Sequence, residues 1–204
     1  MTLPKLIFVI GPAGAGKTTV AKELARRLRI PLFDMDTLLR PAAETIMTLS
    51  GRDPNDRDSP VYKQFCRDLG YRITMDAALE NLELGIDTLV VGPFTKETEN
   101  PQWPEQELAR IGAAGSQVEL KVISVYLQDD EVYRERIRQR ASILDVWKLE
   151  NWDSFRQSLR PRPVRWELPP SALLHLNNSG PWTADKLAKA ERFVRGGYET
   201  PPRP

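Results

Sequence analysis

Gly11-Pro12-Ala13-Gly14-Ala15-Gly16-Lys17-Thr18 fits the pattern G-x-x-x-x-G-K-[ST]. Glycines let a backbone curl until successive N–H groups point inward, and such a concavity holds phosphate oxygens. The motif follows an apolar run and opens a helical pattern, so a helix N-terminus adds its partial positive charge at the same point. Lys17 can bridge the outer phosphates of a nucleoside triphosphate, and the Thr18 hydroxyl can bind Mg²⁺. Thr19 completes the expected nucleotide-binding set.

A second group of candidates lies just beyond. Asp34 and Asp36 are two carboxylates two residues apart. Beside a triphosphate, one can hold Mg²⁺, directly or through water, and the other can accept the proton of an attacking hydroxyl. Helix capping by Asp36 is the competing reading, because Thr37-Leu38-Leu39 follows it. Further along, Thr88 to Val91 ends in Gly92-Pro93 rather than in a carboxylate. That counts against motor-type and switch-type NTPases. Arg136 and Arg140 are four apart and share a helical face. On a charge-laced surface helix they would pair with Glu131 and Glu135.

These residues need a scaffold, and the apolar pattern predicts one. Leu6 to Ile10, Leu32-Phe33, Thr88 to Val91, Val118 to Leu127 and Ala172 to Leu176 read as strands, the first as a strand covered on both faces. Helices are expected over Thr18–Ile30, over 37–50 with a break at Pro41, over Val61–Leu84 in two pieces broken near Gly70, over Pro101–Ala114, over Asp130–Ser142 and over Thr183–Arg195. Residues 51–60 form a polar loop. The alternation gives an α/β fold with a five-stranded parallel sheet and helices on both faces. The stretch 143–171 has no clean period and is rich in tryptophan, proline and arginine, so it reads as an inserted lid. Any of Arg156, Arg160, Arg162 and Arg165 could serve the phosphates from there, while Trp147, Trp152 and Trp166 are expected to pack. The tail from Gly196 is expected to fray.

Composition narrows the function. The 204 residues suit one domain. Lys+Arg 29 against Asp+Glu 28 gives +1, too balanced for a general nucleic-acid-coating role. The single Cys66 excludes an intramolecular disulfide framework, and the single His175 counts against histidine metal sites and serine–histidine triads. No apolar run approaches the roughly 20 residues of a membrane span. The apolar N-terminus runs straight into the phosphate motif, so it reads as a core strand rather than a signal peptide. A cytoplasmic location is the default expectation, with neither a nucleic-acid nor a membrane partner.

The phosphate loop and Phe33-Asp34-Met35-Asp36 together resemble the P-loop small-molecule kinases, the group that holds shikimate kinase, gluconate kinase, chloramphenicol phosphotransferase and, more distantly, the nucleotide kinases. Asp34 to Pro41 is similar to the gluconate-kinase pattern D-G-D-x-L-H-P, with Arg40 in place of its histidine. The resemblance implies a P-loop NTPase three-layer fold spanning 1–204, with a substrate-binding region over about 36–85 and an arginine-rich lid over about 143–171. It implies ATP and Mg²⁺ as cofactors and a small-molecule hydroxyl as acceptor. Lys17, Asp36 and Arg140 would be catalytic, with Asp36 as base and Asp34 assisting Mg²⁺ alongside Thr18. Phe65-Cys66-Arg67 resembles the pair by which shikimate kinase grips its substrate, so Asp34, Asp36, Arg40, Arg67 and Gly92 form the expected acceptor set. Arg136 would stack on adenine and Arg140 reach phosphate. Asn177 to Pro181 occupies the place where relatives cradle adenine. A nucleoside or nucleotide kinase, a toxin-like sugar-nucleotide kinase and a regulatory NTPase remain alternatives. The oligomeric expectation is a monomer or homodimer.

Overall fold

The computed structural model describes residues 3–160 and 162–197. Of the tail expected to fray from Gly196, residues 198–204 lie outside that range. Five strands form one parallel sheet: β1 (Lys5–Ile10), β2 (Leu32–Asp34), β3 (Thr88–Val91), β4 (Glu119–Tyr126) and β5 (Leu173–Asn177), in the order β2-β3-β1-β4-β5. The order explains the unbroken apolar run of β1. As the central strand it is covered on both faces, so both sets of alternating side chains are buried. Ile7 and Val9 point into one core layer, and Leu6, Phe8 and Ile10 into the other.

The first layer is closed by α1 (Lys17–Leu28), α6 (Asp130–Gln139) and α9 (Ala184–Val194), through Val20, Leu24, Ile137 and Phe193. The second is closed by α4 (Arg67–Glu83) and α5 (Trp103–Ala109), through Met75, Leu79 and Leu108. A satellite cluster of Leu39, Met47, Tyr62 and Cys66 ties α2 (Met35–Leu49) and α3 (Pro60–Phe65) to α4. Among the described residues no helix is long and apolar enough to cross a membrane.

Several local expectations are corrected. Helix α2 begins at Met35 and continues through Pro41 without a break. Pro41 is on the exposed face, where the carbonyl that loses its N–H partner need not be buried. The break between the next two helices falls at Cys66, not at Gly70. Gly70 lies inside α4, where an added Cβ would come 2.8 Å from Leu39 Cδ2 and 3.2 Å from Met35 Cγ. The glycine lets α2 and α4 pack closely, which outweighs the roughly 1 kcal/mol it costs a helix relative to alanine. Helix α6 ends at Gln139, because Ala141 takes left-handed backbone (φ 47°) and turns the chain.

The stretch 143–171 holds two short helices, α7 (Val146–Glu150) and α8 (Trp152–Phe155), with 3₁₀ turns around them. It is pinned at two points. Trp152 and Leu159 are buried in the first core layer. Trp166 is buried in the second, stacks on Trp103 at 5.4 Å, and donates from Nε1 to the Glu97 carbonyl at 2.8 Å. These two tryptophans pack, as anticipated, whereas Trp147 is 42% exposed.

Candidate functional site

The site gathers at the carboxyl ends of β1, β2 and β3, where open parallel sheets bind ligands. Leaving β1, the chain passes through Gly11 (φ 139°), Gly14 (φ 82°) and Gly16 (φ 92°) before α1. Only glycine serves at Gly11, since a Cβ there would lie 2.1 Å from the Val125 carbonyl oxygen of β4. At Gly16 a Cβ would meet Asn178 Nδ2 at 2.5 Å. The loop thus lies flush against β4 and Asn178, where no side chain fits. At the start of α1 no side chain caps the helix, so its first N–H groups keep their capacity for an anion.

Lys17 folds back over this loop, and its ammonium donates to the Pro12 carbonyl at 2.9 Å. Burial lowers its pKa to about 8, against the opposing pull of Asp36 and Asp34 and with the help of Arg140 and Lys148. A lysine held at that edge gains its proton most readily when an anion arrives.

Thr18 and Asp34 meet across the gap between α1 and β2. The Thr18 hydroxyl donates to Asp34 Oδ2 at 3.1 Å, and the Asp36 N–H donates to Asp34 Oδ1 at 3.0 Å. Asp34, buried at 9% exposure, is therefore the cap of α2. The capping reading falls on Asp34 rather than Asp36, because the helix starts two residues earlier than the apolar pattern suggests. Asp36 is left exposed in the first turn, with Arg40 exposed one turn on. Thr18 and Asp34 offer hard oxygen donors of the kind Mg²⁺ prefers. Among the described residues no group of three or more histidine, cysteine or acidic side chains could hold a metal ion. A cation between Thr18 and Asp34 would thus depend on phosphate oxygens for its remaining ligands, which matches the nucleotide cradle beside it.

Arg136 of α6 and Arg140 just past its end take different partners. Arg134 and Arg138 form the surface ion pairs with Glu131 and Glu135, which frees the other face. Arg136 donates through Nη2 to the carbonyls of Asn178 at 2.7 Å and Gly180 at 3.0 Å. Asn178, buried after β5, donates in turn to the Ala15 carbonyl at 2.9 Å. Arg136 and Asn178 clasp the phosphate loop to the turn at 178–180, and Lys186 donates to the Gly180 and Pro181 carbonyls from α9. Arg140 instead pairs with Asp145.

On the acceptor side the expected residues separate. Arg67 is no solvated surface residue: it donates to Thr95 Oγ1 at 3.1 Å, pairs with Asp68 at 3.0 Å and Glu97 at 3.7 Å, and lies over the Tyr71 ring. Burial raises the Glu97 pKa despite that arginine. Gly92 does not open backbone to a substrate. An added Cβ would meet the Phe94 ring at 3.0 Å and the Tyr71 ring at 3.5 Å, so its missing side chain makes room for packing. Phe94 itself is fully buried with left-handed backbone (φ 45°), and its N–H donates to the Tyr71 hydroxyl.

Beside the phosphate loop lies a cleft of about 40 Å³, lined by Gly11, Pro12, Thr95, Tyr126, Ser158 and Arg160 among others. Arg162 also reaches it and pairs with Glu99 at 3.0 Å, while Arg160 has no ion pair among the described residues. Arg156 pairs with Asp153, away from the cleft lining, and Arg165 is exposed. Sequence reasoning missed Thr95, Tyr126, Asp145 and Lys148. No local pattern marks them, because each enters the site through partners distant in the chain or within an aperiodic stretch.

Comparison with known proteins fits this geometry. A family model described as an AAA domain matches residues 6–162. Over 39 residues the chain is 46% identical to the shikimate kinase of Francisella tularensis subsp. novicida, a match covering 19% of this chain and 22% of that protein. The aligned part is thus about a fifth of the length of such curated relatives. Among solved structures, the fold is similar to a sugar kinase from Janibacter sp. HTCC2649, with 16% identity, 94% of this chain and 95% of that one covered, and a TM-score of 0.63. It is also similar to a gluconokinase from Sinorhizobium meliloti 1021, with 18% identity, 97% and 93% covered, and a TM-score of 0.54.

Proposed function

The chain belongs to the AAA domain family matched over residues 6–162, and we propose that it is an ATP-dependent kinase that transfers the terminal phosphate to a hydroxyl of a small-molecule acceptor. One observation carries this reading: the Thr18–Asp34 hydrogen bond joins the phosphate cradle to the carboxylate pair at the β2–α2 junction, with Asp36 left exposed beside Lys17.

In this reading the open N–H groups from the loop into α1 bind the phosphate chain. Lys17 leaves the Pro12 carbonyl for the outer phosphates, and Thr18 with Asp34 would hold Mg²⁺. That ion, when bound, neutralises charge that builds up on the transferred group. Asp36 orients the acceptor hydroxyl and takes its proton. Exposure suits this role, since a carboxylate bound as a cap would have its oxygens committed. The kinases named among the relatives support the reaction class, and the fold neighbours include a sugar kinase and a gluconokinase.

The acceptor enters the cleft between Gly11-Pro12, Thr95 and Arg160. Arg160, without an ion pair there, suits an acceptor that carries a carboxylate or phosphate. About 40 Å³ holds a few waters, while pockets for small ligands run to about 300 Å³ or more. The wall formed by Ser158, Arg160 and Arg162 therefore has to withdraw and then close again, the behaviour of a lid.

The test is a panel of hydroxylated metabolites, neutral and anionic, with ATP and Mg²⁺, scored as ADP release above background. Turnover should favour an anionic acceptor and vanish in Lys17→Ala while the fold persists. Undiminished turnover in a folded Lys17→Ala protein would refute the proposal.

A further inference from the structure

Along β4, successive side chains alternate between the two core layers. Ile123 and Val125 enter the first, while Leu120 and Val122 enter the second. Ser124 and Tyr126 continue the second row toward the carboxyl end of the strand, and there the row leaves the core and lines the cleft. Ser124 is in register with Ile10 of β1 and only 7% exposed. Packing alone would favour an aliphatic residue at this place, as at Val122, because a buried hydroxyl without a partner costs free energy. The Ser124 hydroxyl has no hydrogen-bond partner among the described residues. It is not sealed in either, for the side-chain polar atoms that are both sealed and unpartnered among those residues are Thr88 Oγ1 and Arg134 Nε. Ser124 Oγ therefore opens on the cleft that the residue lines.

Two further hydroxyls belong to the same wall. Tyr126 is half-buried, and its phenol likewise has no partner among the described residues. Thr95 comes from beyond β3, which flanks β1 on the side opposite β4. Its Oγ1 accepts from Arg67 Nη2 at 3.1 Å, and Arg67 is itself fixed by Asp68 and Glu97. With one lone pair taken, the Thr95 proton is directed away from Arg67, and no acceptor among the described residues receives it. The other cleft hydroxyls are committed within the chain. Ser158 donates to the Phe155 carbonyl and Thr98 to the Phe94 carbonyl.

We infer that Ser124, Tyr126 and Thr95 bind hydroxyls of the acceptor, and that the acceptor is a polyhydroxylated compound of the sugar, polyol or sugar-acid class. This deepens the kinase reading above and rests on it for the use of the cleft. A hydroxyl both gives and takes a hydrogen bond, so a wall of unpartnered hydroxyls pairs in full only with groups of the same kind. An anion only accepts, and would leave the lone pairs of Ser124 and Tyr126 facing its charge. Arg160 is the group that suits an anion in this cleft. A sugar acid would set its charged end at Arg160 and its chain along the three hydroxyls, with its C–H edges on Ile10 and Pro93. The space of about 40 Å³ holds a few waters. Acceptor hydroxyls can take the place of such waters bond for bond, which a group without donors cannot.

Saturation-transfer NMR on the full chain tests this, with Mg²⁺, a non-hydrolysable ATP analogue and sorbitol, ribitol, gluconate or ribonate as probe. Succinate and lactate, which lack the polyol chain, are the controls. The polyhydroxylated probes should bind and the controls should not. Ser124→Ala, Tyr126→Phe and Thr95→Val should each raise the Kd of the best binder roughly 3- to 10-fold, the loss of one neutral hydrogen bond. Ser124→Ala should also melt no lower than the unaltered protein, because it removes a buried hydroxyl that is unpaired without ligand. A serine that served packing alone would move the melting temperature and leave Kd untouched. Where one variant melts early, the other two decide. No binding of any polyhydroxylated probe, equal binding of the controls, or an unchanged Kd in all three variants overturns the assignment. The kinase reading fails separately. Hydroxyl-dependent binding without ADP release from ATP removes the transfer and leaves the polyol site, whereas ADP release with lactate and with none of the polyols does the reverse.

Discussion

Lys17 should make nucleotide binding proton-linked in a pH range where ordinary lysines are silent. Its pKa is lowered to about 8 from the usual 10.5, chiefly by burial. A phosphate chain in the cradle places negative charge against the ammonium and draws its pKa back up, so the complex holds a proton that the free protein has partly lost. The sign follows. As pH rises through 8, free Lys17 becomes neutral and must be reprotonated on binding, so affinity falls with pH. If the complex stays protonated, apparent Kd scales as one plus the ratio of neutral to charged Lys17. Between pH 7.5 and 9 that factor grows about eightfold for a pKa of about 8. At pH 8 about half a proton should be taken up per ATP bound. The assay is titration calorimetry in two buffers of different ionisation enthalpy, which counts protons directly. Lys148→Ala removes a neighbouring cation that opposes Lys17 protonation, so its transition should move to higher pH. A flat affinity from pH 7.5 to 9, or proton release on binding, would refute the reasoning.

Other outcomes are equally specific. Asp34→Asn should keep the α2 cap, because asparagine caps as well as aspartate, and so cost under about 1 kcal/mol in chemical denaturation while raising the Mg²⁺ concentration needed for half-maximal turnover. Asp36→Asn should lower kcat by about 10²–10⁴-fold, the usual cost of a lost acid–base group, with ATP affinity little changed; full activity in both variants would make the pair structural. Gly11→Ala should destabilise the protein by about 3 kcal/mol or more, since its Cβ would strike the Val125 carbonyl in a backbone region alanine avoids; a wild-type melting curve would contradict this. Hydrogen exchange with a non-hydrolysable ATP analogue should show new protection around 143–150 and 156–160, with the anchors at Trp152 and Trp166 protected in both states; uniform protection throughout, unchanged by nucleotide, would rule out a moving lid.

What the sequence determined by itself is what depends on local spacing. The glycine pattern, the lysine and the hydroxyl residue of the phosphate loop function through consecutive backbone N–H groups, so their order along the chain is already their geometry. The apolar run of Leu6 to Ile10 marks the middle of a parallel sheet because a strand covered on both faces has no polar alternation. The i, i+4 spacing of Arg136 and Arg140 puts them on one helical face, but only their partners separate Arg136, bonded to the 178–180 turn, from Arg140, paired with Asp145. Tertiary structure decided everything that depends on a partner far away in the chain. Asp34 rather than Asp36 became the cap when Thr18, sixteen residues earlier, reached its other oxygen. Gly92 became a packing glycine when Phe94 and Tyr71 filled the space above it. Asn178 joined the nucleotide cradle from 163 residues beyond Ala15. Arg140 and Lys148 were brought together by a chain reversal at an alanine, a residue that carries no turn signal. Hydrogen bonds and packing contacts act through space, and the spatial neighbours of a side chain follow from how β4, β5 and their connections stack against β1, which no window of sequence contains.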